Sequence, residues 1–267
     1  MNGPVELGWP QLAIAASLVV VNGLVSLWLR LGLGRRLLVA SLRTVVQLVL
    51  LGFVLVAVFE WQNALGVAAI AAGMVLLAAR ESVRRTGRSY AGIQRDSLCS
   101  LALVGGATTV LATAVIIRVD PWWEPRYLIP LLGMVLGNGL TGISLGLERC
   151  LRELDEGRAR VEVLLALGAT RWEAARAPVA EAVRGGMVPI LNSMAVVGLV
   201  TIPGMMTGQL LGGVSPLIAA RYQILVMFLI ASATAGGVTA AVWFCVRSLF
   251  DDAHRLRLDR LRREPGN

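Results

Sequence analysis

The residues of this chain that could do chemistry are a handful of polar and sulfur-bearing groups set inside long apolar runs. Arg43 and Gln47 lie four apart and so share one helix face. A charge at membrane depth is costly unless paired or hydrated, which makes Arg43 a functional candidate; its alternative is to snorkel to the nearby interface. Asn138 sits between Gly137 and Gly139 in another apolar run, where it serves either a pathway or helix packing. The segment Ile202 to Gln209 combines a Pro203-Gly204 break with Met205, Met206 and Gln209. A broken helix at that depth is tolerated where it faces protein or a water-filled cavity. Thioethers are soft metal donors, although methionine more often simply packs. Tyr222 and Gln223, at the start of the last apolar run, complete the set of substrate-pathway candidates.

What is missing narrows the chemistry further. Spans two to seven carry no interior Asp or Glu, so no tight oxygen cage for a hard cation is visible and no metal ligand set can be named. The single histidine, His254, has no partner in the sequence pattern, and no nucleophile–base pair or histidine cluster suggests an enzyme. All 25 basic residues other than histidine are arginine. Without lysine there is no Walker A phosphate loop and no retinal Schiff base.

These groups are positioned by membrane helices. Of 267 residues 56% are hydrophobic and 16% charged, against about a quarter charged in soluble domains. The apolar runs are continuous and reach the roughly 20 residues needed to cross a bilayer, so an all-α polytopic protein is expected rather than a barrel. Seven spans are predicted, at about 11–29, 37–59, 61–79, 97–117, 127–147, 187–202 and 222–247. They form one transmembrane domain, 1–250, followed by a charged tail, 251–267. No cleavable leader is expected, because the first run lacks a basic stretch before it and an A-x-A site after it.

The arginines set the orientation. Twenty-one of them follow spans one, three, five and seven; only Arg118, Arg126 and Arg221 fall on the other side. The N-terminus is therefore expected outside and the C-terminus in the cytoplasm. Cys99, Cys150 and Cys245 then lie near the cytoplasmic face, where thiols stay reduced. The charge of +8 is this loop bias, not a nucleic-acid surface. Trp122 and Trp123 in the outer loop read as interfacial anchors.

The segment 148–186 is the one large element outside the spans. Val161, Leu164, Leu165 and Trp172 recur at helical spacing among charges, which predicts an amphipathic helix pair. Gly168 suits a left-handed helix end, Thr170 with Glu173 forms a capping box, and Pro178 is expected to kink the second helix. The pair should end at Gly185-Gly186. A helix lying on lipid would need no such turn; a rigid knob for docking a soluble partner would.

Glu162 to Gly168, followed by Ala169, resembles the loop by which ABC importer permeases contact their ATPases. The stretches 41–55, 129–138 (IPLLGMVLGN), 165–170 (LALGAT), 188–193 (VPILNS), 197–208 (VGLVTIPGMMTG) and 221–228 (RYQILVMF) are together similar to the FetB-type permease family, the membrane subunit of an iron-export ABC transporter. That resemblance covers nearly the whole chain. It implies two permease copies and two separate ATPase chains in a cell membrane, with ATP and Mg on the ATPase and no cofactor in this chain. Glu162, Gly168, Ala169, Thr170 and Glu173 would form the coupling element. Iron or another metal species would be the exported substrate. Plant relatives linked to aluminium tolerance and nucleotide-sugar transport leave a metal complex or a nucleotide sugar open. Import stays open too, as does, more distantly, an ion-coupled secondary transporter, for which intramembrane acids are lacking.

Overall fold

The computed structural model describes residues 8–61 and 63–263; the outermost residues of the tail, 264–267, lie outside them. The chain is helical nearly throughout. In order it forms α1 (Trp9–Trp28), α2 (Gly34–Trp61), α3 (Ala64–Arg84), β1 (Arg88–Tyr90), α4 (Ile93–Ile117), α5 (Pro125–Glu156), α6 (Arg158–Ala166), α7 (Arg171–Val196), α8 (Gly204–Leu211), α9 (Pro216–Leu249) and β2 (Leu261–Arg263). Among the described residues six helices are long and apolar enough to cross a bilayer: α1 to α5 and α9. Helix α4 widens into π turns at Leu101–Gly106 and Leu111–Ile117.

The six are one fewer than the seven predicted spans. The segment 187–202 is not a separate helix. Its first ten residues are the end of α7, which begins at Arg171 and runs 26 residues through Pro178, Gly185, Gly186 and Pro189. Arg171, Glu173, Arg176, Glu181 and Arg184 make its first half polar. Gly185-Gly186 therefore does not end the helix. Gly186 is a packing contact: a Cβ there would lie 2.7 Å from the Gly142 carbonyl oxygen, and one on Gly142 would lie 3.0 Å from the Gly186 oxygen. Gly146 packs likewise, since a Cβ there would meet Val238 Cγ1 at 2.7 Å. The small residues at 142 and 146 thus let α5, α7 and α9 approach closely. Gly133 meets Met74, whereas Gly137 opens onto empty space.

Two apolar clusters follow. The first joins Leu147, Leu151 and Leu154 of α5, Ala174 and Ala175 of α7, and Val242, Val246 and Leu249 of α9. The second, toward the opposite end, joins Leu131 and Val135 of α5, Ile190 of α7, and Val226 to Ala233 of α9. Helix α5 has 32 residues, about 48 Å at 1.5 Å per residue. It overshoots the roughly 30 Å hydrocarbon layer, and its charged excess lies at the arginine-rich end. There residues 251–263 fold back onto the bundle. Phe250 is buried, Leu256 and Leu261 pack against the first cluster, and β2 pairs antiparallel with β1, Tyr90 opposite Leu261.

Candidate coupling surface and membrane polar sites

The helix pair at the arginine-rich end is built from local rules. Helix α6 closes with Gly168 N–H donating to Leu165 O and Ala169 N–H to Leu164 O, both at 3.0 Å. Gly168 stands at φ +91°, a left-handed conformation that any side chain would resist. Thr170 then caps α7. Its Oγ1 accepts from Glu173 N–H at 3.4 Å, while the Glu173 carboxylate accepts from Thr170 N–H at 2.7 Å and from the Thr170 hydroxyl at 2.8 Å. These donors, the backbone N–H first and the hydroxyl second, hold the Glu173 carboxyl below its ordinary range.

Val161 is buried beneath the pair, with Leu164 and Leu165 packed against the first cluster. Leu167 at the tip is 80% exposed and Val163 beside it 59%. Exposed apolar surface of this kind marks contact with a protein or with lipid. Glu162 does not join the turn; it accepts from Arg158 at 2.7 Å, one helical turn away. Trp172 leaves the helix-pair face and stacks on Trp243 of α9, centroids 5.9 Å apart.

The tail reaches this turn. His254, without a partner in the sequence pattern, takes the backbone N–H of Arg171 on Nδ1 at 3.3 Å. Ala253, His254, Arg255 and Leu256 face Glu162, Leu165 and Ala169 across a cleft of about 310 Å³.

Two further features of this end escaped sequence reasoning. Arg88 bonds Glu156 at 3.0 Å, Asp155 at 3.2 Å and Glu148 at 3.4 Å, tying the β1 loop to α5. Asp96 is buried at 3% exposure, and one of its carboxylate oxygens accepts from Tyr90 at 2.9 Å and from Ser248 at 3.2 Å. Burial, and after it neighbouring groups including Asp96, pushes the Tyr90 phenol up. Their partners lie up to 152 residues away, so no local pattern announces them. The thiols divide: Cys150 and Cys245 are fully buried and Cys99 is exposed.

The membrane candidates fall on separate elements. Arg43 and Gln47 are exposed on α2, where with Arg35, Arg36, Val39, Ala40 and Thr44 they line an open groove of about 550 Å³. Asn138 is exposed on α5 and donates to Met134 O of its own helix at 2.9 Å, so it is not packing glue within the chain. Pro203 is the N-cap of α8, and Gly204 its first residue. The break expected here is real: α7 ends at Val196, and a turn with a Val197–Thr201 bridge precedes Pro203. Met205 packs into the second cluster, while Met206 and Tyr222 are half-buried outside it. Gln223 is buried. The side-chain oxygens of Gln209 and Gln223 are both buried without a hydrogen-bond partner. Met205 and Gln209 lie on α8 and Gln223 on α9, on other elements than the α2 groove and the exposed face of α5.

Residues 9–250 match the family described as "Uncharacterised protein family (UPF0014)". The chain is similar to the UPF0014 membrane protein slr1647 of Synechocystis, 37% identical over 84% of this chain and 85% of that one. It is similar to the Arabidopsis thaliana protein named ALUMINUM SENSITIVE 3, 32% identical over 91% and 88%. It is also similar to the Escherichia coli protein named "Probable iron export permease protein FetB", 28% identical over 95% and 96%. No solved structure matches it.

Proposed function

The chain belongs to the UPF0014 family of multi-pass membrane proteins, and from that premise we propose that it is the permease subunit of an ATP-driven ABC transporter that exports a metal species. Iron is the metal named for the Escherichia coli relative. The observation that carries the reading is the capped α6–α7 turn, which presents Leu167 and Val163 to solvent at the arginine-rich end. That end faces the cytoplasm by the positive-inside rule. A separate ATPase docks there and binds ATP and Mg, since a chain without lysine has no Walker A loop. A second copy of the chain completes the pathway.

The test is Gly168→Val. Forcing a β-branched residue to φ +91° costs on the order of 1–2 kcal/mol and touches no span. The variant is expected to insert and fold, to lose most co-purification with the ATPase, and to support little efflux. Full partner binding and full efflux would retire the turn as the coupling element. Orientation is checked through Cys99, the exposed thiol: an impermeant maleimide should label it in inside-out vesicles and not in intact cells.

A further inference from the structure

The N-terminal hairpin carries cations that nothing in it answers. Elsewhere at the arginine-rich end, arginines take carboxylates about one helical turn away: Arg84 with Glu81, Arg149 with Glu153, Arg158 with Glu162 and Arg184 with Glu181. Among the described residues no such partner reaches Arg35, Arg36 or Arg43, all three exposed on α2. From residue 9 to 61 the one carboxylate is Glu60, about 25 Å beyond Arg43 along the helix axis. The groove of about 550 Å³ is lined by these three arginines with Thr44 and Gln47. Arg36, Arg43 and Gln47 follow at spacings of seven and four, so they form a stripe down one helix face. Arg43 stands about 10 Å farther into the membrane than Arg36, and from there a long side chain reaches back toward the interface. Past Gln47 the helix turns wholly apolar: residues 48–59 hold no polar side chain, and Leu50 and Leu51 are exposed.

We propose that the α2 groove binds an anionic phospholipid of the cytoplasmic leaflet, with its phosphate among Arg35, Arg36 and Arg43, its ester oxygens toward the Gln47 amide and its acyl chains over Leu50 and Leu51. Unanswered cations at the membrane surface select an anion. A zwitterionic headgroup brings an ammonium that the same arginines repel. A small soluble anion would meet the arginines and leave the apolar stretch beside them uncovered, whereas a lipid covers both. A second copy related by a two-fold axis along this face would set the arginine stripe against itself, cation on cation. The inference uses the orientation proposed above and no transport role, so it stands whether or not the chain is a permease.

The full chain, purified in detergent, is titrated with dioleoylphosphatidylglycerol and with dioleoylphosphatidylcholine, and the bound lipids are counted by native mass spectrometry. Phosphatidylglycerol is expected to bind at least tenfold more tightly. Arg36→Gln and Arg43→Gln should each weaken it about fivefold, the worth of one arginine at an anionic lipid surface, and the double variant roughly twentyfold. Both positions are exposed, so the unfolding midpoints should not move. Arg84→Gln, exposed at the same end but outside the groove, should leave the affinity unchanged, and excess glycerol phosphate should not displace the lipid. Equal binding of the two lipids, unchanged affinity in the double variant, or an equal loss in Arg84→Gln would each overturn the site. Displacement by glycerol phosphate would overturn it in favour of a free anion. A dimer that loosens in Arg43→Gln at unchanged lipid affinity would overturn it in favour of a second copy. Efflux and ATPase co-purification are separate readouts: intact coupling without selective lipid binding sinks only the lipid site, and lipid binding without an ATPase partner sinks only the permease.

Discussion

The N-terminal hairpin and the α5–α7–α9 core are made of similar material and treated in opposite ways. The most apolar stretch of α2 has mean hydropathy 2.4, above the 1.6 of α5, yet 6% of it is buried against 56% for α5. Hydropathy reports what a helix tolerates around it, lipid or protein, and does not say which. What distinguishes α5 is its small residues. Gly142 and Gly146 let the backbone of α7 and the Val238 side chain of α9 approach closely, while Gly52 of α2 has nothing within 4 Å of where a side chain would begin. Within a bilayer that packing, rather than greasiness, locates the core. The bare flanks of α1 and α2 are the surface left for lipid or for a second copy of the chain.

The comparison breaks most sharply at Gly186. A valine there must displace the Gly142 carbonyl at 2.7 Å and Val238 at 2.8 Å, backbone and branched side chain that cannot both give way. Overpacking of this kind costs about 3 kcal/mol or more, a fall of roughly 10 °C in the unfolding midpoint. Gly52→Ala is expected to leave the midpoint unchanged or slightly higher, since alanine favours the helix. Thermal unfolding in detergent reads both. If Gly186→Val were as benign as Gly52→Ala, the core would not be where the glycines put it.

A smaller contrast sets Arg88 against Arg43. Arg88 is 19% exposed among three carboxylates, of which Asp155 is 8% exposed. Removing it takes the guanidinium away from a largely buried carboxylate, a cost on the order of 3 kcal/mol. Arg43→Ala, on the open face of α2, should cost no measurable stability. As a pathway candidate it should instead lower metal efflux, with assembly intact. Normal efflux in both Arg43→Ala and Gln47→Ala would reduce the pair to a snorkelling side chain and its neighbour.

Local interactions were the legible ones. The capping box is set by residues three apart, and Thr170 with Glu173 stands as the spacing required. Five of the six long helices, α1 to α4 and α9, coincide with their apolar runs to within six residues at each end, because length and apolarity are properties of the run itself. α5 starts within two residues of its run but continues nine residues past it, as charged helix beyond the membrane. The misreading at Gly185-Gly186 has the same root. A glycine pair ends a helix or permits a close crossing, and only the partner, Gly142, 44 residues earlier, decides which. Asp96 and the tail were illegible for that reason too: the hydrogen-bond donors to Asp96 come from β1 and α9, and Leu261 of β2 pairs with Tyr90 of β1, 171 residues earlier. The methionine and glutamine candidates were visible as types, but that the Gln209 and Gln223 side-chain oxygens are each buried without a partner required the fold.

The smallest expected effect tests the one place where local rule and exposed surface meet. The Glu173 carboxylate, fully at the surface, accepts two donors from Thr170, which favour its charged form and lower its pKa. In the unfolded chain the group titrates near the ordinary glutamate value of about 4.3. Over the window between the folded and unfolded values the unfolded state binds the proton and the folded state does not, so stability rises with pH across that window. The contribution is therefore complete above about pH 4.3 and disappears as pH falls through the depressed folded value. Glu173→Gln cannot titrate and loses this term. The gap in unfolding midpoint between wild type and Glu173→Gln should be constant from pH 8 to about pH 5 and shrink below about pH 4. High salt should narrow it, because the carboxylate is solvent-exposed. A gap that stayed the same down to pH 3 would mean that the charge of the Glu173 carboxylate has no part in holding the turn.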